Sequence, residues 1–241
     1  RDCHAPVRRR GLAMTKKIFR DYHGLAMTKK VCYNKTMKRA FIAINIPAEI
    51  KDELAKIINC LKQKNSSRAI KYVKPEGLHL TLHFLGYLDD SQIEQTQQIL
   101  ADTVKLHQPF VLSTSDFGAF PNLQRPRVLF IQGVGDIEVA KQLQQNLGEK
   151  LQAMDLEIDR RPWQVHFTLA RIKAPVELRL ENIKMPKMSF MVSSIELMKS
   201  TLTPGGARYS VISSHSLNPG CRDFDPDRSG QGPDTPKKHK I

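Results

Sequence analysis

Residues 78–86 read LHLTLHFLG, and residues 165–172 read VHFTLARI. Each holds His, an apolar residue, Thr and an apolar residue in succession, at His79 to Leu82 and at His166 to Leu169. Alternation of this kind marks a half-buried strand, because successive strand side chains point to opposite faces. His79 and Thr81 then share one face, as do His166 and Thr168, while the apolar residues enter a core. A single such histidine is ordinarily a satisfied group on a polar sheet face. Two copies 87 residues apart, each inside an apolar strand, ask for a shared purpose.

Working outward, strand and helix patterns alternate around both segments. Strands are predicted at 39–46, 78–85, 110–115, 128–134 and 163–172, and a hairpin is predicted at 188–202 and 208–214 around the TPGGA turn. Helical periodicity predicts helices from Pro47 to about Lys62, from Ser91 to about Leu106 and from Asp136 to Met154. Ser91 with Glu94 reads as the capping box of the second helix. Strands follow one another without a helix between every pair, which predicts an α+β fold of mainly antiparallel sheets rather than a parallel doubly wound one. The order strand, helix, strand with His-x-Thr occurs twice. It hints at two similar lobes.

The chain has 241 residues and a formal charge of +14. Residues 1–36 carry ten Lys/Arg against two acids, and residues 37–217 carry 23 against 18, so the excess is concentrated in the leader. The leader repeats GLAMTKK at 11–17 and 24–30 without strand or helix period. It is expected to be a disordered basic segment lying before a domain at 37–217, with Met37 as the natural start. Residues 218–241, rich in Pro, Gly, Asp and Lys, are expected to be a disordered tail. Four scattered cysteines without a C-x-x-C pair fit a reducing compartment. No apolar run approaches the roughly 20 residues that span a bilayer, so a cytoplasmic protein without membrane contact is expected.

Two facing imidazoles can serve as general base and general acid, since histidine titrates near neutrality. Phosphodiester hydrolysis needs both, with hydroxyls and a cation to stabilise charge growing at phosphorus. Strict alternation places Arg171, five residues after His166, on the opposite face unless the strand bulges or ends before it. The same parity turns Phe84 away from His79. It also puts His83 on the face of His79 and Thr81, so His79, His83 and His166 make a weaker candidate for a zinc site. No acid or cysteine is placed to complete such a site. Phosphate-loop, nucleophile-elbow and dinucleotide-binding signatures are missing from the sequence, which leaves ATP or NAD dependence without support. His4, His23, His107, His215 and His239 read as solvated or structural.

These residues resemble the two-histidine phosphoesterase superfamily, specifically the RNA 2′,3′-cyclic phosphodiesterases once called 2′-5′ RNA ligases. The likeness runs from RAFIAINIPAEI (39–50) through GLHLTLHFLG (77–86), PRVLFIQGV (126–134) and RPWQVHFTLAR (161–171) to ARYSVI (207–212). It implies two pseudo-twofold related lobes around a central cleft, with one motif per lobe and helices on the outer faces, and that His79 and His166 are catalytic, with His166 as base and His79 as acid, without a cofactor or metal. It further implies that Thr81, Thr168 and Arg171 bind phosphate and that Phe84 stacks on a base. The expected substrate is an RNA with a 2′,3′-cyclic phosphate end, or a cyclic nucleotide, handled by a monomer. Rival readings are 2′-5′ ligation by the reverse reaction and an RNA-binding module without turnover.

Overall fold

Apolar alternation around the two His-x-Thr segments produces strands that pair in two separate sheets. The computed structural model describes residues 37–154, 156–159, 161–204 and 206–220. The leader and most of the tail lie outside the described residues. In chain order the elements are β1 (Lys38–Asn45), α1 (Ala48–Lys64), β2 (Ile70–Tyr72), β3 (His79–Leu88), α2 (Asp90–Val104) and β4 (Phe110–Phe120). There follow β5 (Val128–Gly135), α3 (Ile137–Gln152), β6 (His166–Ile172), β7 (Ser189–Val192), β8 (Ser194–Thr203) and β9 (Gly206–Ser216).

One sheet has the order β3-β1-β8-β9 and the other β2-β6-β5-β4-β7. All these pairings are antiparallel, as expected for an α+β fold in which helices are interposed between only some strands. The two lobes correspond: β1, α1 and β3 in one match β5, α3 and β6 in the other. Adding 87 carries His79 onto His166 and its cross-strand partner Asn45 onto Gln132, the partner of His166.

The core lies under the helix-covered faces. Ile42, Ile44 and Leu80 from the first lobe and Leu129, Ile131 and Phe167 from the second are fully buried in it. Leu54, Ile57, Ile58 and Leu61 form the inner face of α1, and Ala140, Leu143, Leu147 and Leu151 that of α3. Both sets recur at helical spacing.

Three local expectations are corrected. The cap of α2 is Asp89 rather than Ser91: its carboxylate accepts from Gln92 N at 2.8 Å, and the Gln92 side chain accepts from Asp89 N at 3.1 Å. The box is two residues earlier because Asp89, in extended conformation, is the last residue before the helix turns. The run 188–202 is two strands, broken at Ser193, because β7 joins β4 in one sheet and β8 joins β1 in the other. The chain crosses between lobes at that break. Residues 163–165 precede β6 as irregular chain, and the Trp163 indole there donates to Thr81 O of the opposite lobe at 2.9 Å. β2 and the 3-10 turn Pro75–Gly77 are too short to leave a periodic signal.

Candidate active site

The face that each side chain near the motifs occupies is decided by a bulge just after each His-x-Thr, and β3 has a second bulge at Leu85. In β3, Thr81 pairs with Ala43 and His83 with Ile42, so Leu82 is an extra residue. In β6, Thr168 pairs with Phe130 and Ala170 with Leu129, so Leu169 is the extra residue. The two bulges are 87 residues apart, at the same place in the two lobes. Each reverses the parity of the residues that follow, in β3 as far as the second bulge at Leu85.

Arg171 is thereby returned to the face of His166 and Thr168, and Phe84 to the face of His79 and Thr81. His83 goes the other way: only 4% exposed, it sits in the core, where its Nε2 donates to Gln144 O at 2.7 Å. The expectation that His83 shares a face with His79 and Thr81 is therefore overturned, and so is the three-histidine metal arrangement that depends on it. Among the described residues, no three His, Cys, Asp or Glu side chains are grouped to hold a metal ion. His107 is structural, hydrogen-bonded to Asn146, and His215 is hydrogen-bonded to Ser213. His4, His23 and His239 lie outside the described residues.

Both motif histidines are held identically. His79 Nδ1 bonds Gly77 O, and His166 Nδ1 bonds Gln164 O, each at 2.8 Å and each to the carbonyl two residues upstream. A carbonyl can only accept, so Nδ1 carries the hydrogen and Nε2 carries the lone pair of the neutral ring. Aromatic rings brace the imidazoles. Phe41 and Tyr209 lie 4.9 and 5.0 Å from the ring of His79, while Phe120 and Phe130 lie 5.1 and 5.3 Å from that of His166. Three of the four contacts are edge-on, a geometry that fixes ring orientation.

Burial pushes the pKa of His79 down to about 4, helped by the charges of Lys51, Arg171 and His166 and opposed by the Gly77 carbonyl. His166 is lowered for the same leading reason, with Arg171 adding to the effect and the Gln164 carbonyl opposing it. Arg171 thus lies near enough to both imidazoles for its charge to lower each. Lys51 is held on the first lobe beside the strand partner of His79, donating to Asn45 Oδ1 at 2.8 Å. Phe41, Phe120, Phe130 and Lys51 were not singled out in the sequence. Their roles depend on cross-strand neighbours that no local pattern records.

Two histidines anchored through Nδ1, with the lone pair on Nε2 and a cation close enough to act on both, can exchange protons with a bound phosphate ester. The family model described as LigT-like phosphoesterase matches residues 44–130 and 135–209, taking in both motifs. The chain belongs to the LigT-like phosphoesterase family. Relatives named RNA 2′,3′-cyclic phosphodiesterase include one from Methanocaldococcus jannaschii, 34% identical over 72% of this chain and 98% of its own length. Another, from Methanothermobacter thermautotrophicus, is 31% identical over 71% of this chain and 95% of its own. Among solved structures, one from Thermus thermophilus superposes with a TM-score of 0.62 at 28% identity, covering 74% of this chain and 97% of that one. E. coli LigT in complex with 3′-AMP gives 0.61 at 25% identity, covering 75% and 98%. This phosphoesterase therefore shares their mostly antiparallel two-sheet architecture. Among its described residues, no helix is long and apolar enough to cross a membrane.

Proposed function

We propose that this phosphoesterase hydrolyses 2′,3′-cyclic phosphate at RNA ends to the 2′-phosphate, with His166 as base and His79 as acid and without a metal. The observation that carries this reading is the matched Nδ1 anchoring of His79 and His166, which leaves the lone pair on Nε2 of each ring, on strand faces that also carry Thr81, Thr168 and Arg171. The names of the relatives support the substrate class, and the 3′-AMP complex of E. coli LigT supports a nucleotide ligand.

In this mechanism His166 Nε2 takes a proton from water as its oxygen attacks phosphorus in line. The bond from phosphorus to the 3′ oxygen breaks, and the proton on His79 Nε2 passes to that oxygen. Thr81, Thr168 and Arg171 hold the non-bridging oxygens, where negative charge accumulates. Phe84 stacks on the terminal base. With only protein groups around it, His79 is neutral at pH 7. The acid therefore acquires its proton together with the anionic substrate, whose charge favours the imidazolium. The bulge-dependent placement of Arg171 supports its phosphate role, and that of Phe84 its position beside the acid.

The direct test is incubation with an oligonucleotide ending in 2′,3′-cyclic phosphate, with and without a strong chelator, followed by identification of the product isomer. Conversion to the 2′-phosphate at an unchanged rate in chelator is expected. A 3′-phosphate product, or loss of activity that zinc restores, overturns the mechanism.

A further inference from the structure

β2 is the edge of the second sheet, and its Lys71 stands directly opposite Arg171 of β6. Residues paired in this way project from the same face, so Lys71 lies on the face of His166 and Thr168, one strand further out. Both side chains are exposed, and among the described residues neither forms an ion pair. Two like charges directly opposite one another repel, which an anion between or across them reverses. On the other side of Arg171 the cross-strand neighbour is Val128, so along this row of β5, β6 and β2 positive charge continues only toward the edge.

The hairpin between β8 and β9 comes from the other lobe and meets this edge. The Lys71 ammonium lies 3.5 Å from where a Cβ would stand on Gly206, whose φ of +119° is a conformation that suits glycine. Lys71 is thus positioned where the edge of one sheet meets the β8–β9 hairpin of the other.

We propose that Lys71, paired with Arg171 across β2 and β6, binds the phosphodiester on the 5′ side of the terminal nucleotide, so that the substrate is an oligonucleotide end rather than a cyclic mononucleotide. This rests on the phosphodiesterase reading and specifies its substrate class. Arg171 serves the terminal phosphate, and Lys71 serves the next one as the chain leaves across the sheet edge. Lysine on an edge strand also discourages strands of other molecules from pairing there. That role alone predicts no dependence on ligand length.

The experiment measures binding of 3′-AMP and of the 3′-phosphorylated dinucleotide of adenosine to the full chain, at two salt concentrations, for wild type, Lys71→Ala and Lys71→Arg. Wild type should bind the dinucleotide about fivefold more tightly, the size of one exposed charge contact. Lys71→Ala should lose that gain and keep its affinity for 3′-AMP, and Lys71→Arg should retain both. The slope of log Kd against log salt for the dinucleotide should flatten by about 0.7 in Lys71→Ala. The proposal is overturned if the gain persists in Lys71→Ala, if both affinities fall together, or if wild type shows no gain. Since binding is read without turnover, failure to hydrolyse a cyclic end would sink the phosphodiesterase reading and still leave Lys71 judged by its own result.

Discussion

His79 and His166 have the same hydrogen-bond anchor and the same kind of aromatic bracing, so nothing in their immediate geometry separates acid from base. Chemistry at the leaving group does. A ribose alkoxide leaves poorly unless protonated, whereas a nitrophenolate needs little help. His79→Ala should therefore lose about 10² to 10⁴ in rate on a cyclic RNA end but far less on a nitrophenyl phosphodiester, while His166→Ala is impaired on both. Steady-state kinetics on the two substrates decides this, and the opposite pattern would exchange the roles. At Phe84, removal of the ring should weaken substrate binding by roughly 1–3 kcal/mol if a base stacks there. The residue also contacts Phe41 at 6.1 Å between ring centroids. A lowered melting temperature with unchanged binding would reduce Phe84 to a packing residue.

At the scale of the element, the two bulged strands are the devices that assemble the site, and their neighbours hold the resulting geometry. Phe130, opposite Thr168, lies over Gly118 of β4 and beside His166. A Cβ on Gly118 would collide with the Phe130 ring, which is also 4.5 Å from Phe120. Gly118→Ala should therefore shift both rings that brace His166 and lower kcat, leaving the first lobe's packing intact. The check is activity beside tryptophan fluorescence and far-UV circular dichroism. Full activity in Gly118→Ala would show that ring bracing does not orient the histidine.

For the whole molecule, the buried histidines set a pH dependence of stability. In His79, His83 and His166 burial lowers the folded-state pKa, that of His79 to about 4. Above about pH 6.5 these groups are neutral in folded and unfolded chains alike and contribute no slope. As pH falls from about 6.5 toward 4 the unfolded chain binds protons that the fold refuses, so stability declines. Melting temperature should drop through that interval, and less steeply in His79→Gln; equal slopes would place the effect elsewhere. The extent of the folding unit is open to test as well. Leu217 is buried, and Asn218 N donates to Val104 O and His107 O at 3.2 and 2.9 Å, tying the chain to the end of α2. Residues 37–220 alone should fold with the melting temperature and activity of the whole chain, whereas stopping at 217 should lower the melting temperature. Failure of 37–220 to fold would show that the flanking residues are structural.

Local pattern was enough to determine the strands bearing His79 and His166, the helices α1 and α3, the antiparallel α+β class and the pairing of each His with its Thr. These follow from side-chain period and turn chemistry within a few residues of each position. The sides taken by Phe84, His83 and Arg171 were beyond such reading, because a bulge is a count of residues on one strand against its partner. Leu82 and Leu169 are as apolar as their neighbours and carry no local mark of being the extra residue. The break at Ser193 was hidden for the same reason: β7 and β8 separate only because their partners, β4 and β1, belong to different sheets. Sequence thus determined which groups could do the chemistry. Tertiary pairing decided which of them face one another, since that depends on register between strands distant along the chain.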